Sequence, residues 1–373
     1  MEFYMNQSFR IVISGGGTGG HVYPGIAIAG ELKCRLSDCE IVFVGVRHRI
    51  EEKIVPREGY RLKTIHIQYL TRKLSPKILS FFFSLIIGLV QSLIFLIRFR
   101  PQVVIGTGGY VSGPVLYAAH LLRIPTLIQE QNSYPGITTK LLAPRVNRIH
   151  LAFEETIQHL RVKDSSLFRI TGNPVRLPRE KIDRNLALAK FNLQPDKKTL
   201  FLFGGSQGSA ALNEALLSAL PQLSPEIQVI WQTGVSQFET IKKGCDALPH
   251  WIYLQPFIYN MIDAYSAADL AICRAGAITI AELAQMGLPA ILVPLPSAAE
   301  GHQEKNARVL VDANAALMIL QQQLSPKRLS QTISELIFDV NRLDSISRNC
   351  RTFYRENAAA EIADSVIELI EKN

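Results

Sequence analysis

A glycine-rich segment that ends in a histidine is the first place in the chain where the residue types suggest chemistry. Residues 14–25 read SGGGTGGHVYPG, and His21 follows the last glycine of a G-x-G-x-x-G spacing. A glycine-rich turn between a strand and a helix can direct backbone N–H groups and the helix N-terminus at a phosphate. The positive end of a helix also disfavours the imidazolium form of a nearby histidine. We therefore predict that His21 is a general base beside an anion-binding loop, the alternative being a histidine that only bonds the backbone at the helix start.

Two common nucleotide sites are disfavoured by the residues around this loop. A dinucleotide-binding loop needs an acid after the second strand to hold the ribose, whereas IVFVG is followed here by Val46, Arg47, His48 and Arg49. The P-loop pattern G-x-x-x-x-G-K-[ST] does not occur in the sequence. The segment is therefore better interpreted as a diphosphate-binding loop than as part of a dehydrogenase or an ATPase.

Three further turns occupy the same position between a predicted strand and a predicted helix. They lie at residues 106–109, 204–209 and 274–277, so that each half of the chain has two. The last turn is followed by Glu282, whose carboxylate could accept hydrogen bonds from the two hydroxyl groups of a ribose. The alternative for Glu282 is an ordinary first-turn acid that interacts favourably with the helix dipole. Four such turns predict at least one phosphate-bearing ligand.

Alternating strands and helices are needed to position these turns. Apolar strand patterns alternate with helical patterns in both halves of the chain, which is typical of parallel sheets with crossover helices. The charged, proline-containing segment 174–198 separates the two series. We predict an α/β fold of two Rossmann-like domains that face one another across a cleft, with the ligand at the carboxyl ends of the strands. The predicted domains are 1–175 and 176–347, and a helix over about 348–373 is expected to pack back on the first.

The composition limits the partners and the cofactors. The 373 residues include 40 Lys and Arg against 32 Asp and Glu, a net charge of +8 that favours an anionic partner. The sequence has neither a Lys/Arg run of five or more nor a nucleic-acid-binding motif, so we expect no nucleic acid ligand. The five cysteines are scattered, and neither C-x-x-C nor Asp-x-Asp occurs. We therefore predict a cytoplasmic protein with no disulfide framework, no metal site and no cofactor.

One segment is apolar enough to interact with a membrane. Residues 78–97, ILSFFFSLIIGLVQSLIFLI, are about long enough to span a bilayer, and Lys and Arg side chains flank both ends. A spanning helix would separate the strands predicted before it from those predicted after it. We therefore favour a helix that packs on the sheet and dips its outer face into the interface of an anionic membrane. A spanning helix and a wholly buried helix are the alternatives.

Seven segments resemble motifs of the MurG family of N-acetylglucosaminyltransferases and occur in the order seen in that family. They are SGGGTGGHVYPGIAIA, GTGGYVSGPVLYAA, QEQNSYPGITTKLLA, TGNPVR, FGGSQGSAALN, CRAGAITIAELAQMGLPAILVP and GHQEKNA. The resemblance covers essentially the whole chain and implies the GT-B glycosyltransferase fold. It also implies inverting transfer of N-acetylglucosamine from UDP-N-acetylglucosamine to the 4-hydroxyl of the N-acetylmuramoyl sugar of lipid I. The product would be lipid II for peptidoglycan, made by a peripheral protein on the cytoplasmic face of the plasma (inner) membrane.

The resemblance assigns expected roles to residues of the first predicted domain. Thr18, Gly19 and Gly20 would line the donor site, and Asn132 would contact the N-acetylglucosamine of the donor. The pyrophosphate of lipid I would lie at the glycine-rich loops of this domain, where His21 would take the proton of the acceptor hydroxyl.

Further roles fall on the second predicted domain. Arg176 and Ser206 would meet the diphosphate, the backbone of Ile258 would read the uracil, and Gln303 would contact the donor sugar. One continuous segment would hold the α-phosphate and the ribose, with the carboxylate on the ribose hydroxyls. Its residues are Ala277, Ile278, Thr279, Ile280, Ala281 and Glu282.

Alternatives to this reaction remain at the level of the sequence. The chain could be another UDP-sugar glycolipid glycosyltransferase, or a UDP-sugar epimerase of the same fold. It could also be a non-catalytic, membrane-docked nucleotide-sugar binder. The expected partners are UDP-N-acetylglucosamine, lipid I and the anionic membrane surface, and cell-wall synthesis proteins are further candidates.

Overall fold

The structure of the protein is a computed structural model that describes residues 8–68, 77–178, 180–205, 207–245 and 251–372. The contacts within the chain divide it into two compact units. Unit one consists of Met1–Arg176 and Asn357–Asn373, and unit two is Leu177–Glu356.

Unit one contains a seven-stranded parallel sheet in the order β3-β2-β1-β4-β5-β6-β7. The strands form because their apolar, largely β-branched runs are buried against helices on both sides of the sheet. The strands are β1 Phe9–Gly15, β2 Cys39–Gly45, β3 Arg61–Thr64, β4 Val103–Gly108, β5 Thr126–Glu130, β6 Arg148–Leu151 and β7 Phe168–Ile170. The helices are α1 Gly19–Arg35, α2 Ile50–Arg57, α3 Lys77–Phe99, α4 Ser112–Leu121 and α5 Ile137–Leu142.

Unit two contains a six-stranded parallel sheet in the order β10-β9-β8-β11-β12-β13. Its strands are β8 Lys198–Phe203, β9 Ile227–Gln232, β10 Ile252–Gln255, β11 Leu270–Cys273, β12 Ala290–Leu292 and β13 Leu317–Met318. Its helices are α6 Arg184–Ala189, α7 Ala210–Ala219, α8 Phe238–Cys245, α9 Met261–Ala267, α10 Ala277–Met286, α11 His302–Asp312, α12 Pro326–Ile337 and α13 Val340–Arg351. The prediction of an α/β chain with two parallel sheets is confirmed.

Both sheets have a point at which the strand order reverses. The first strand of unit one lies between β2 and β4, and the first strand of unit two lies between β9 and β11. Helices that leave two such neighbouring strands diverge to opposite faces of the sheet, which opens a crevice at the carboxyl ends of the strands. Each of the four turns singled out in the sequence follows one of these central strands.

Two elements differ from their predicted bounds. The sequence pattern predicts a first helix over about 23–36, whereas the helix begins at Gly19, where the Thr107 hydroxyl bonds the carbonyl oxygen of His21 in its first turn. The helix expected over about 348–373 is two helices. Residues 340–351 form α13 within unit two, and α14, Ala358–Glu371, packs its apolar face on α1 and the core of unit one.

Helix α3 has apolar side chains on two faces. Leu85, Leu89 and Leu93 pack against the core of unit one, beside the fully buried Leu96. The other face is exposed although it is also apolar, and it consists of Phe82, Phe83, Ile86, Ile87, Val90, Ile94 and Ile97. Residues 80–99 are long and apolar enough to cross a membrane by length and composition. A helix that uses one face to complete a core and leaves a second apolar face exposed presents a surface suited to a lipid interface.

Candidate active site

The first cluster of site residues lies at the reversal point of unit one. Thr18 is the N-cap residue of α1, so Gly19, Gly20 and His21 form its first turn. The N–H groups of the first turn have no partner within the helix and point out of its N-terminal end, which creates an anion-binding position. The structure therefore brings the predicted loop residues and the histidine to one helix N-terminus.

The imidazole of His21 is held by hydrogen bonds at one of its two nitrogens. Its Nδ1 lies 2.8 Å from Oε1 of Gln131 and 3.1 Å from the carbonyl oxygen of Thr107. Both partners are acceptors, so in the neutral ring Nδ1 carries the proton and Nε2 carries the lone pair. The Thr107 hydroxyl also donates to the carbonyl oxygen of His21 at 2.7 Å. The side chain is thus oriented as a base that accepts a proton at Nε2.

A glycine in the loop after β4 permits this arrangement. Gly108 has a φ of +102°, and a Cβ atom at this position would lie 2.6 Å from Nδ1 of His21. The backbone conformation and the close approach both require a residue without a side chain. The glycine-rich turn at 106–109 therefore leaves the space that the His21 imidazole occupies.

Buried carboxylates that the sequence analysis did not identify shape the two loops of this cluster. Glu51 is fully buried, and its two oxygens accept hydrogen bonds from the N–H groups of Gly17 (3.0 Å) and Val46 (3.1 Å). Glu130 accepts from Asn132 at both the backbone N–H and the amide side chain, and from the hydroxyl of Thr139. The predicted sugar contact Asn132 is thus placed by a buried acid. In the sequence, the signal that could have identified these buried acids is an acidic residue within or near an apolar strand pattern.

Of the two residues predicted to contact the diphosphate, the structure describes one. Arg176, the first residue of the predicted second domain, is the last residue of unit one, and its Nη2 lies 2.8 Å from Oε2 of Glu58. Its contact with a diphosphate stays a prediction. Ser206 lies outside the described residues.

The second cluster lies at the reversal point of unit two. The loop after β8 has positive φ angles at Gly205 and Gly208, and a Cβ atom on Gly208 would lie 2.1 Å from the carbonyl oxygen of Thr233. Arg274, which follows β11, donates to the hydroxyl of Ser209 at 2.8 Å. It also donates to the carbonyl oxygen of Val293 at 3.0 Å. Arg274 therefore fixes the loop after β8 to the loop after β11.

Helix α10 begins at Ala277, three residues after Arg274, and the predicted α-phosphate and ribose segment occupies its first two turns. Gly276 is its N-cap residue, and the segment from Ala277 to Glu282 follows without interruption. Oε2 of Glu282 accepts a hydrogen bond of 2.8 Å from the buried Tyr265 hydroxyl. Burial raises the pKa of the Glu282 carboxyl to about 7, and the Tyr265 hydrogen bond acts in the opposite direction. The carboxyl therefore changes charge near neutral pH.

The remaining predicted donor contacts, Ile258 and Gln303, are also held by hydrogen bonds within unit two. The N–H of Ile258 donates to Oε1 of Gln232 at 2.8 Å, and Nε2 of Gln232 donates to the carbonyl oxygen of Gly205 at 3.1 Å. Gln232 thus links the predicted uracil-reading position to the glycine loop. Gln303 lies in the first turn of α11, and its Oε1 accepts from the N–H of Leu295 at 2.9 Å.

Within the described ranges, no group of three or more His, Cys, Asp or Glu side chains could hold a metal ion. The expectation that the reaction needs neither a metal nor a cofactor stays a prediction.

Comparison with known families assigns both units. Residues 11–151 match the glycosyltransferase family 28 N-terminal domain, and residues 199–366 match the glycosyltransferase family 28 C-terminal domain. The two matched ranges contain the reversal points of the two sheets, and thus all four turns.

Full-length relatives are also similar to the chain. A protein of Flavobacterium psychrophilum is 40% identical over 368 residues, which cover 98% of this chain and 99% of the relative. One of Chlorobaculum parvum is 42% identical and covers 96% of this chain and 99% of the relative. Both are described as UDP-N-acetylglucosamine–N-acetylmuramyl-(pentapeptide) pyrophosphoryl-undecaprenol N-acetylglucosamine transferase. The crystal structure of Acinetobacter baumannii MurG is 30% identical, with a TM-score of 0.78 and coverage of 96% of this chain and 99% of that one.

Proposed function

The chain belongs to the MurG family within glycosyltransferase family 28, and from this membership we propose its reaction. The protein transfers N-acetylglucosamine from UDP-N-acetylglucosamine to lipid I, the N-acetylmuramyl-(pentapeptide) pyrophosphoryl-undecaprenol. The acceptor atom is the 4-hydroxyl oxygen of the muramoyl sugar, and the product is lipid II for peptidoglycan. The observation that carries the proposal is the His21 imidazole, held through Nδ1 with Nε2 left to accept a proton at a glycine-rich helix N-terminus.

The proposed mechanism is a single displacement with His21 as the general base. Nε2 takes the proton of the 4-hydroxyl as its oxygen attacks carbon 1 of the donor sugar from the face opposite UDP. The bond between carbon 1 and the UDP oxygen breaks in the same step, so the anomeric centre is inverted. The imidazolium then returns its proton to water. The carbonyl oxygen of Thr107 and the Gln131 amide oxygen stabilise the charged ring as hydrogen-bond acceptors.

Unit two binds the donor in this proposal. The N-terminus of α10 meets the α-phosphate through the backbone of Ala277 and Ile278, where the partial positive charge of the helix stabilises the UDP leaving group. Glu282 accepts hydrogen bonds from the ribose hydroxyls. Ser206 of unit two and Arg176, the last residue of unit one, are the further proposed diphosphate contacts. A fixed positive field of this kind supplies leaving-group stabilisation from the protein's own backbone.

We further propose that the outer face of α3 docks unit one on the cytoplasmic surface of the membrane. The acceptor is a lipid, so the base must act at the membrane interface. The exposed apolar residues of α3 include Phe82 and Phe83, and Arg98 and Arg100 lie at its carboxyl end. Aromatic and aliphatic side chains beside cations are the composition of a helix that lies in an anionic interface. The protein is thus peripheral in this proposal, since the inner face of α3 completes a core.

Incubation of the purified protein with labelled UDP-N-acetylglucosamine and a lipid I analogue tests the proposed reaction. The expected product is the β-linked disaccharide on the lipid, together with one UDP for each transfer. A labelled donor that binds without appearing in a product would indicate a non-catalytic binder. Conversion of the free donor to a second UDP-sugar in the absence of acceptor would indicate an epimerase. Either result would contradict the proposal.

A further inference from the structure

Three buried amide side chains form a connected network behind His21. The one in contact with the ring is Gln131, and the others are Gln129 and Asn173. They come from the carboxyl end of β5 and from the loop after β7, and they are at most 7% exposed. Buried amides are retained where every donor and acceptor finds a partner, and such a network fixes side-chain orientation.

The orientation of the Gln131 amide is set by its own partners. Its Nε2 lies 2.8 Å from the carbonyl oxygen of Thr107 and 2.9 Å from that of Gln129. Carbonyl oxygens only accept, so the amide nitrogen must face them. The amide oxygen is consequently the atom that faces His21, and it can only accept the Nδ1 proton.

The other two amides hold the Gln131 residue itself. Nε2 of Gln129 donates to Oδ1 of Asn173 at 3.0 Å, and Nδ2 of Asn173 donates to the backbone carbonyl oxygen of Gln131 at 3.0 Å. The hydrogen bonds of the network therefore lead back to Gln131, the residue that contacts the imidazole. A rotation of the Gln131 amide would place nitrogen against nitrogen at His21 and oxygen against oxygen at Thr107.

An amide in this position differs in charge from the carboxylate that commonly orients a catalytic histidine. A carboxylate would raise the pKa of the histidine, since an opposite charge within about 4–6 Å shifts a pKa by about one to three units. An amide orients the ring without placing a charge beside it.

The other titratable groups near the ring do not replace Gln131 in this role. Glu51 on α2 accepts hydrogen bonds from the loop backbone, and Glu130 at the end of β5 accepts them from Asn132 and Thr139. The Tyr110 hydroxyl on the loop after β4 interacts with Arg49, and burial raises its pKa.

We propose that Gln131, held by Gln129 and Asn173, is a positioning residue that fixes the Nδ1–H tautomer of His21 and so leaves the lone pair on Nε2. The inference deepens the proposed function and depends on His21 acting as the base. The part of the inference that concerns the tautomer can be tested without measuring activity.

The test uses Gln131→Glu and Gln131→Met, with Gln228→Met as the matched control. Gln228 is an equally buried amide on β9 of unit two, where its Nε2 bonds the carbonyl oxygen of Gln194. Gln131→Glu is expected to shift the acidic limb of the kcat/KM profile for the acceptor upward by about one to three pH units. Gln131→Met is expected to lower kcat about tenfold or more with the KM of the donor unchanged, because methionine cannot fix the tautomer. Gln228→Met is expected to change neither the profile nor kcat.

Nitrogen NMR of the His21 side chain provides a readout that does not need activity, with His21→Gln used to assign its signals. The wild-type protein is expected to show the Nδ1–H tautomer, and Gln131→Met a mixture of tautomers. An Nε2–H tautomer in the wild type would overturn the inference, as would a Gln131→Glu profile that superimposes on the wild type in a folded protein. If Gln131→Glu does not fold, the NMR comparison with Gln131→Met decides the question. A wild-type protein that makes no disaccharide would instead refute the proposed function.

Discussion

The reversal points of the two sheets have the same topology and different side chains. In each unit a glycine-rich turn follows the central strand and leads into a helix, and a second turn follows the neighbouring strand. In unit one these turns surround an imidazole and a network of buried amides. In unit two they surround a helix N-terminus and a carboxylate paired with a tyrosine.

The difference indicates a division of chemistry between the two units. A histidine whose proton position is fixed by acceptors is suited to proton transfer. A helix N-terminus with a carboxylate one turn further along is suited to holding a phosphate and a ribose. One backbone arrangement is therefore suited to proton transfer in unit one and to ligand binding in unit two, because function depends on the side chains placed at the strand ends.

The first way to break this comparison is to move the histidine without removing it. Gly108→Ala would place a Cβ atom 2.6 Å from Nδ1 of His21, so we expect the transfer rate to fall about 100-fold or more. Gly59→Ala is the control, because Gly59 also has a positive φ of +80° but has open space at its Cβ position. The control should lose stability alone. A Gly108→Ala protein that transfers at a rate close to the Gly59→Ala protein would contradict the seating role of Gly108.

The second test concerns the apolar surface that belongs to unit one. The pair of substitutions Phe82→Ser and Phe83→Ser is expected to weaken partition onto anionic vesicles about tenfold or more, because burial of a phenylalanine contributes about 1.5–3 kcal/mol. Vesicle sedimentation measures the partition. Transfer to a water-soluble acceptor should not change.

Phe338→Ser supplies the control for this surface, since Phe338 is an exposed phenylalanine of unit two. It should leave vesicle binding unchanged. Equal losses from the α3 pair and from Phe338→Ser would indicate that α3 is not a specific docking face.

The third test concerns recognition in unit two. Glu282→Gln is expected to raise the KM of the donor about tenfold, because a hydrogen bond to a charged group contributes about 1.5–3 kcal/mol. Burial raises the pKa of Glu282 to about 7. The ionised form, which we propose accepts hydrogen bonds from the ribose hydroxyls, therefore increases as the pH rises through 7. Donor affinity of the wild type should therefore increase between pH 6 and pH 8, and that of Glu282→Gln should not. A Glu282→Gln variant that keeps the wild-type pH dependence would contradict the proposed contact between Glu282 and the ribose.

The smallest expected effect is on stability. The folded protein binds the Glu282 proton more tightly than the unfolded chain does, so this carboxyl opposes folding as the pH rises from about 4.5 towards 7 and above it. Glu282→Gln should consequently raise the Tm by a few degrees at pH 8 and by less at pH 5. Thermal unfolding at the two pH values measures the difference. An equal change at both would mean that the carboxyl is not titrating in the folded protein.

The sequence predicts the strands, the four turns and the position of His21 because these depend on local patterns. Apolar runs identify buried parallel strands, and glycine identifies the turns between strand and helix. The start of α1 at Gly19 was not predicted, since two glycines disfavour a helix and only the surrounding structure stabilises it there. Local pattern also could not separate α13 from α14, whose apolar faces enter the cores of different units.

The residues that support the site could not be predicted, because they come together only in the folded sheet. His21 and Gln131 are 110 residues apart in the chain, and Glu51 bonds a glycine 34 residues away. Parallel strands align their carboxyl ends irrespective of chain separation, so such contacts depend on strand order. The sequence showed Gln131 only as part of a family motif, in which its neighbour Asn132 received the predicted role.

The most direct test of the account measures single-turnover transfer and donor binding side by side for the wild type and His21→Ala. A general base contributes about 100-fold or more to the rate, and His21 belongs to unit one whereas the proposed donor contacts of α10 belong to unit two. The account predicts that the variant transfers at least about 100-fold more slowly and binds UDP-N-acetylglucosamine as the wild type does. A variant that transfers at the wild-type rate, or that loses donor binding in proportion to its rate, would contradict the assignment of His21 as the base.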